Sequence, residues 1–199
     1  MPLTPVANEQ IATIVTHLEM RERPKPAPIP PAPLRLLPWK TPALDAYRTL
    51  FRRVGEPWLW FSRLAMSNDD LAAVIHDPAV EVYAVTDPRG VEVGLLELDF
   101  RFLPDCELSF CGLVPALTGK GLGKWLMAQV KSLAWRKDVS RLWVHSCTLD
   151  SPAALSFYIR AGFVPFKREV ETFADPRLVG LLPPDAAPHV PMLGQPPSA

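Results

Sequence analysis

Leu113-Val114-Pro115-Ala116-Leu117-Thr118-Gly119-Lys120-Gly121-Leu122-Gly123-Lys124 is the stretch on which the fold turns. An apolar run from Cys106 to Val114 reads as a strand entering it. Lys124–Trp135 reads as a helix leaving it, with Leu122, Leu126, Val130 and Leu133 forming one stripe. Between them the glycines let the backbone turn tightly and aim successive N–H groups outward, and the helix start adds partial positive charge. Such a turn is a seat for a phosphate or pyrophosphate. A glycine turn before a helix is often only a turn, so its meaning depends on what surrounds it.

Two phosphate-binding patterns fail on the residues. The Walker pattern GxxxxGK[ST] does not occur, because Gly123-Lys124 is followed by Trp125. A dinucleotide fold needs GxGxxG inside repeated βαβ units, whereas Gly119, Gly121 and Gly123 are spaced GxGxG. A third pattern is a cofactor held by its pyrophosphate while its reactive arm runs between strands, and coenzyme A fits it.

Downstream, Arg141–Cys147 reads as a buried strand, Ser151-Pro152 opens a helix that ends at Ala161-Gly162, and Phe163–Phe173 is a last strand. Upstream, Ile11–Glu19 is β-branched and partly alternating and reads as an opening strand. Leu44–Val54 is an amphipathic helix stopped by Gly55, and Ser67 caps a short helix over Asn68–His76. Val80–Thr86, Val91–Arg101 and Cys106–Val114 then form an antiparallel meander turned at Asp87-Pro88-Arg89-Gly90 and Leu103-Pro104-Asp105. The fold class is α/β, a mixed sheet with helices over its faces.

With these elements in order, Leu113-Val114-Pro115, the loop Gly119–Gly123, and Ala154-(x)3-Tyr158-(x)3-Gly162-Phe163 together resemble the GNAT superfamily of acetyl-CoA-dependent N-acetyltransferases. The resemblance spans roughly residues 10–175. It implies the GNAT-type mixed, largely antiparallel sheet and acetyl-CoA as cofactor, and it says nothing about the acceptor. Carried over by position, the pyrophosphate loop falls on Thr118, Gly119, Lys120, Gly121, Leu122, Gly123 and Lys124. The amides of Leu113 and Val114 would meet the pantetheine arm and the thioester carbonyl. Thr118 stands where the family usually has Gln or Arg, and Ser151 where it often has Asn.

Acetyl transfer to an amine needs a neutral nucleophile, a polarised thioester and a proton for the departing thiolate. The resemblance makes Tyr158 the acid, against the plainer role of a core aromatic. Glu107 is the first candidate base and Glu97 the second; each could equally be a structural or edge carboxylate. His145 reads more readily as a hydrogen-bonded core histidine than as a base, and Asp150 as a helix cap. Trp58, Trp60 and Phe61 occupy the stretch that shapes the acceptor pocket in this family, and Arg63 could pair an acceptor carboxylate.

Composition sets the remaining bounds. The 21 Lys+Arg balance the 21 Asp+Glu, and no long basic run occurs, which disfavours a nucleic-acid partner. No stretch reaches membrane-spanning length. Cys106, Cys111 and Cys147 form neither a metal-ligand pattern nor an even disulfide set, and free thiols suit a cytoplasmic location. No cysteine is convincingly placed as an acyl carrier, although Cys111 is close to the slot. Of 24 prolines, seven fall in 24–38 and seven in 176–199. The first group reads as an extended connector within a domain of residues 1–175, the second as a tail outside the core.

The sequence thus points to an acyl-CoA N-acyltransferase acting on a primary amine, with a small-molecule acceptor and direct attack in a ternary complex. A protein N-terminus or lysine is the alternative acceptor, and a non-catalytic acyl-CoA sensor the alternative class. Oligomeric state stays open, a homodimer among the options.

Overall fold

The computed structural model describes residues 3–194. Seven strands form one sheet in the order β2-β3-β4-β5-β6-β1-β7. They are β1 (Gln10–Met20), β2 (Arg35–Pro38), β3 (Val80–Thr86), β4 (Glu92–Asp99), β5 (Asp105–Leu113), β6 (Arg141–Cys147) and β7 (Val164–Ala174). All neighbours are antiparallel except β5 and β6. Helices α1 (Leu44–Gly55), α2 (Ser62–Ala65) and α3 (Asn68–Ile75) cover one face; α4 (Leu122–Ala134) and α5 (Ala154–Arg160) cover the other.

Period-2 alternation divides the strand residues between two cores. Leu95 joins Tyr47, Phe51 and Val54 of α1, whereas its neighbour Leu96 joins Leu126 and Val130 of α4. The α3 start follows its sequence signal, since the Ser67 hydroxyl accepts from the Asp70 amide at 3.1 Å.

Three features depart from the sequence reading. The connector does not stay free to residue 38. Leu34 is buried, and Arg35–Pro38 pairs with β3 as an edge strand, where a proline costs no ladder bond on its outer side. The β-branched β1 sits inside the sheet, with Val15 opposite Cys147 on one side and Glu169 on the other. It separates β6 from β7.

The expected free tail is the third departure. Residues 195–199 lie outside the described residues, but the segment before them docks. Leu182, Ala186 and Ala187 are almost fully buried beside Tyr47, Phe51 and Leu59. Arg177, 3% exposed, closes the segment. It binds Asp175 at 2.7 Å and donates to the carbonyls of Ala186 at 3.2 Å and Val190 at 2.9 Å. One guanidinium thereby satisfies backbone acceptors that a proline-rich chain cannot pair for itself. Deleting residues 180–199 removes the Leu182 contact and strips two acceptors from buried Arg177. The expected loss is about 3 kcal/mol, or a melting temperature lower by about 6–12 °C in calorimetry. An unchanged transition would show that the segment contributes nothing.

Candidate active site

Parallel β5 and β6 are in register over only three pairs, ending at Glu107 opposite Trp143. Beyond that point they part, and a cleft of about 710 Å3 opens between them. One arm is lined by Leu113, Thr118, Gly119, Gly121, Gly123, Lys124, Ser151 and Tyr158. The other is lined by Trp58, Trp60, Phe61, Arg63, Glu107, Phe110, His145, Glu171 and Phe173. Lys120 and Leu122 belong to the loop without lining the cleft.

The first arm fits a pyrophosphate. Gly119 and Gly121 have φ of +74° and +78°, and a Cβ on either would meet nothing within 4 Å. Open space therefore lies over a left-handed backbone that side chains resist. Gly121 also caps the thirteen-residue α4 with no side chain bonded to the free amides of the first turn. The Thr118 hydroxyl turns away and donates to the Pro115 carbonyl at 2.8 Å, leaving the loop to its amides.

One carried-over contact is corrected. The Val114 amide donates to the Val93 carbonyl at 2.9 Å, so the meander uses it and it cannot meet a thioester. Amides of adjacent strand residues point to opposite sides, which leaves the Leu113 amide directed at the gap between β5 and β6.

Tyr158 comes to the cleft from α5, with its ring edge-on to Phe163 at 5.8 Å. Among the described residues none binds its hydroxyl. Burial, with Cys111 nearby, raises its pKa well above the ordinary tyrosine value, so it holds its proton at neutral pH. Glu107 stands on β5 at the mouth of the split. Burial first, and Asp99 second, push its carboxyl up to about 7. His145 is not a core residue: its side chain is 47% exposed, and Nδ1 stands 3.6 Å from Glu107 Oε1. Partial desolvation and then His17 lower its pKa, which favours the neutral imidazole. Burial raises the Cys111 thiol to about 12, making thiolate scarce there.

Glu97 occupies a different place from the one its sequence position suggested. It is fully buried under α1 and α2, where one oxygen accepts from the Tyr47 hydroxyl at 2.6 Å and the other from Arg63 at 2.5 Å. Both oxygens are committed and neither faces the cleft. Arg63 lines the cleft, but its charge is met by Glu97 and its Cζ lies 5.1 Å from the Phe110 ring centre. It is a wall of the acceptor arm, without a free charge to pair a substrate carboxylate.

Asp150 is likewise no helix cap. It accepts from Ser146 Oγ at 2.8 Å, the Cys147 amide at 2.9 Å and Trp60 Nε1 at 3.2 Å. That ties the Trp60 ring to the end of β6, beside Phe110 at 5.2 Å. Phe61 packs on Phe173 at 4.7 Å. Sequence reasoning missed Phe110, Glu171 and Phe173 as lining residues. Alternation could have placed Phe110, but no local signal could place β7 beside the cleft.

A split parallel strand pair, a glycine-shaped helix start at one end and a tyrosine beside the split define an acyl-CoA type of site on a mixed sheet. Residues 37–163 match the model of the acetyltransferase (GNAT) family, and the chain belongs to that family. Among solved structures it is similar to a GCN5-related N-acetyltransferase from Sphaerobacter thermophilus. Identity is 16% over 81% of this chain and 51% of that one, with a TM-score of 0.57. A tandem GNAT protein from the clavulanic acid biosynthesis pathway matches at 14% identity over 81% and 53%, with a TM-score of 0.52. Spermidine N-acetyltransferase from Vibrio cholerae, solved with CoA and spermine, matches at 18% over 72% and 96%, with a TM-score of 0.53. The likeness at these identities is one of fold, and the chain spans about half the length of the first two. A search of curated proteins finds no match.

Proposed function

We propose that this chain transfers an acetyl group from acetyl-CoA to a primary amine of a small molecule, by direct attack in a ternary complex. The observation that carries the reading is that Tyr158 and Glu107 open on one cleft whose far arm is the Gly119–Gly123 loop. Acetyl-CoA supplies an activated thioester. The α4 amides and Lys124 would hold its pyrophosphate, and the Leu113 amide would orient the thioester carbonyl. Glu107, ionised above about pH 7, would take one proton from the ammonium; as the neutral amine bonds to the carbonyl carbon and the C–S bond breaks, Tyr158 would give its proton to the thiolate and be restored by the second proton that the nitrogen loses. His145, beside Glu107, passes the proton on to solvent.

The wall of Trp58, Trp60 and Phe61 favours a small acceptor over a protein N-terminus or lysine. Glu107 and Glu171 give the arm a preference for cations. An unengaged Tyr158 hydroxyl disfavours a silent sensor. No described helix is long and apolar enough to cross a membrane. The three free cysteines are the reason to place the chain in the cytoplasm.

Initial rates measured against both substrates test direct attack. Intersecting lines are expected; parallel lines with an acetyl group recovered on Cys111 would replace it with a covalent route. Glu107→Gln supplies the pH test. The native rate should rise with pH through about 7, because the base acts only when ionised. The variant should lose that inflection and about 10²-fold or more in kcat. An inflection that survives in the variant would assign the base elsewhere.

A further inference from the structure

Three devices fix the ring of Trp60 in the cleft. The first is in the backbone. A single turn of 3-10 helix, Glu56–Trp58, is followed by Leu59 with φ of +54°. A leucine resists that left-handed conformation, and burial of its side chain among the α1 residues holds it there. The reversal brings the Trp60 amide back to the Gly55 carbonyl at 3.1 Å.

The second device is a pair of glycines that make room for the indole. A Cβ on Gly55 would collide with the Trp60 Cβ, and one on Gly112 would stand 3.1 Å from Trp60 Cη2. The ring therefore lies against bare backbone of β5. The third is the bond from Trp60 Nε1 to Asp150 at 3.2 Å, with Asp150 itself anchored at the end of β6 by Ser146 and the Cys147 amide. Packing alone is served by Phe51 at 5.6 Å and Phe110 at 5.2 Å. The bond to Asp150 does something more, because it ties the ring to the far side of the split between β5 and β6.

The crossing point gives the ring its role. Gly112 and Leu113 share the peptide bond whose N–H is directed at that gap, the amide that would orient the thioester carbonyl. We propose that Trp60 sets the length of the transferred acyl group: its ring walls the split beside Gly112, so that acetyl fits and longer chains are excluded. The proposal rests on the reading of the cleft as an acyl-CoA site. One methylene too many against a fixed hydrophobic wall changes specificity about 10–200-fold.

Calorimetry with coenzyme A and butyryl-CoA tests the wall without turnover. The native chain should bind butyryl-CoA at least about tenfold more weakly than coenzyme A, and Trp60→Ala should bring the two within about twofold of each other. In turnover the same variant should raise the kcat/KM ratio of butyryl-CoA to acetyl-CoA about tenfold or more, whereas loss of a merely structural ring lowers both donors alike. Trp60→Phe keeps an aromatic ring beside Phe51 and Phe110 and replaces Trp60→Ala if thermal melts show that the alanine variant fails to fold; it should bind propionyl-CoA as well as coenzyme A. Equal affinities in the native chain, or native discrimination that persists in the folded variant, would overturn the proposal. Absence of acyl transfer from every donor would instead refute the transferase reading, and the affinities would still decide the role of Trp60. A native chain that binds no coenzyme A would refute the acyl-CoA site and the proposal with it.

Discussion

Tyr158→Phe is expected to lower kcat by about 10²–10⁴, the scale of a lost general acid, while coenzyme A binds as before. The ring's contact with Phe163 survives the change, because only the hydroxyl is removed. Its loss leaves no protein group of the described residues in the hydroxyl's place, and the leaving thiolate must wait for water. An alkaline limb of the native rate profile that reports tyrosine ionisation should disappear with it. A larger loss of binding than of kcat would make Tyr158 a positioning residue for the pantetheine arm. Where product release limits turnover, the comparison belongs in single-turnover rates.

Gly121→Val should abolish measurable coenzyme A binding while the fold persists. No atom of the chain would clash with the new Cβ, so the core is not the casualty. Two effects act on the site instead. A β-branched residue resists φ of +78°, and its methyl groups project into the space over the α4 amides. Displacing the pyrophosphate from those amides removes the main electrostatic contact for the cofactor. Calorimetry showing undiminished affinity in a folded Gly121→Val protein would withdraw the loop assignment.

The residues that the sequence alone could place are those with local signatures. The Gly119–Gly123 turn, the stripe on α4, the Ser67 cap and the alternation through β3, β4 and β5 all depend on neighbours a few positions away. Tyr158 is singled out by the resemblance, whose motif spacing to Gly162-Phe163 is local, and the structure places it on the cleft wall. Glu97 shows the limit of that reasoning. Alternation fixes which face a strand residue takes, but the partners on that face, Tyr47 and Arg63, come from distant segments. The Val114 amide, whose role comes from the resemblance, is likewise taken by a partner from another strand, the Val93 carbonyl.

Other features depend on the whole sheet. Glu171 and Phe173 line the cleft from β7, which lies beyond β1 at the edge of the sheet. The tail departs from its composition, since a proline-rich run with few apolar residues reads as a segment outside the core. The decisive contacts come from Leu182, two small alanines and a buried arginine, none of which makes a periodic pattern.

The most direct measurement is mass spectrometry of the purified chain turning over acetyl-CoA with a panel of amines. The panel should hold small mono- and diamines, a peptide with a free N-terminus and a lysine peptide. The account predicts free coenzyme A and one acetyl group on a small cationic primary amine, with rates cut at least about a hundredfold by Tyr158→Phe and by Glu107→Gln. Coenzyme A bound tightly with no acetylated product from any member, or acetylation confined to the peptides, would contradict it.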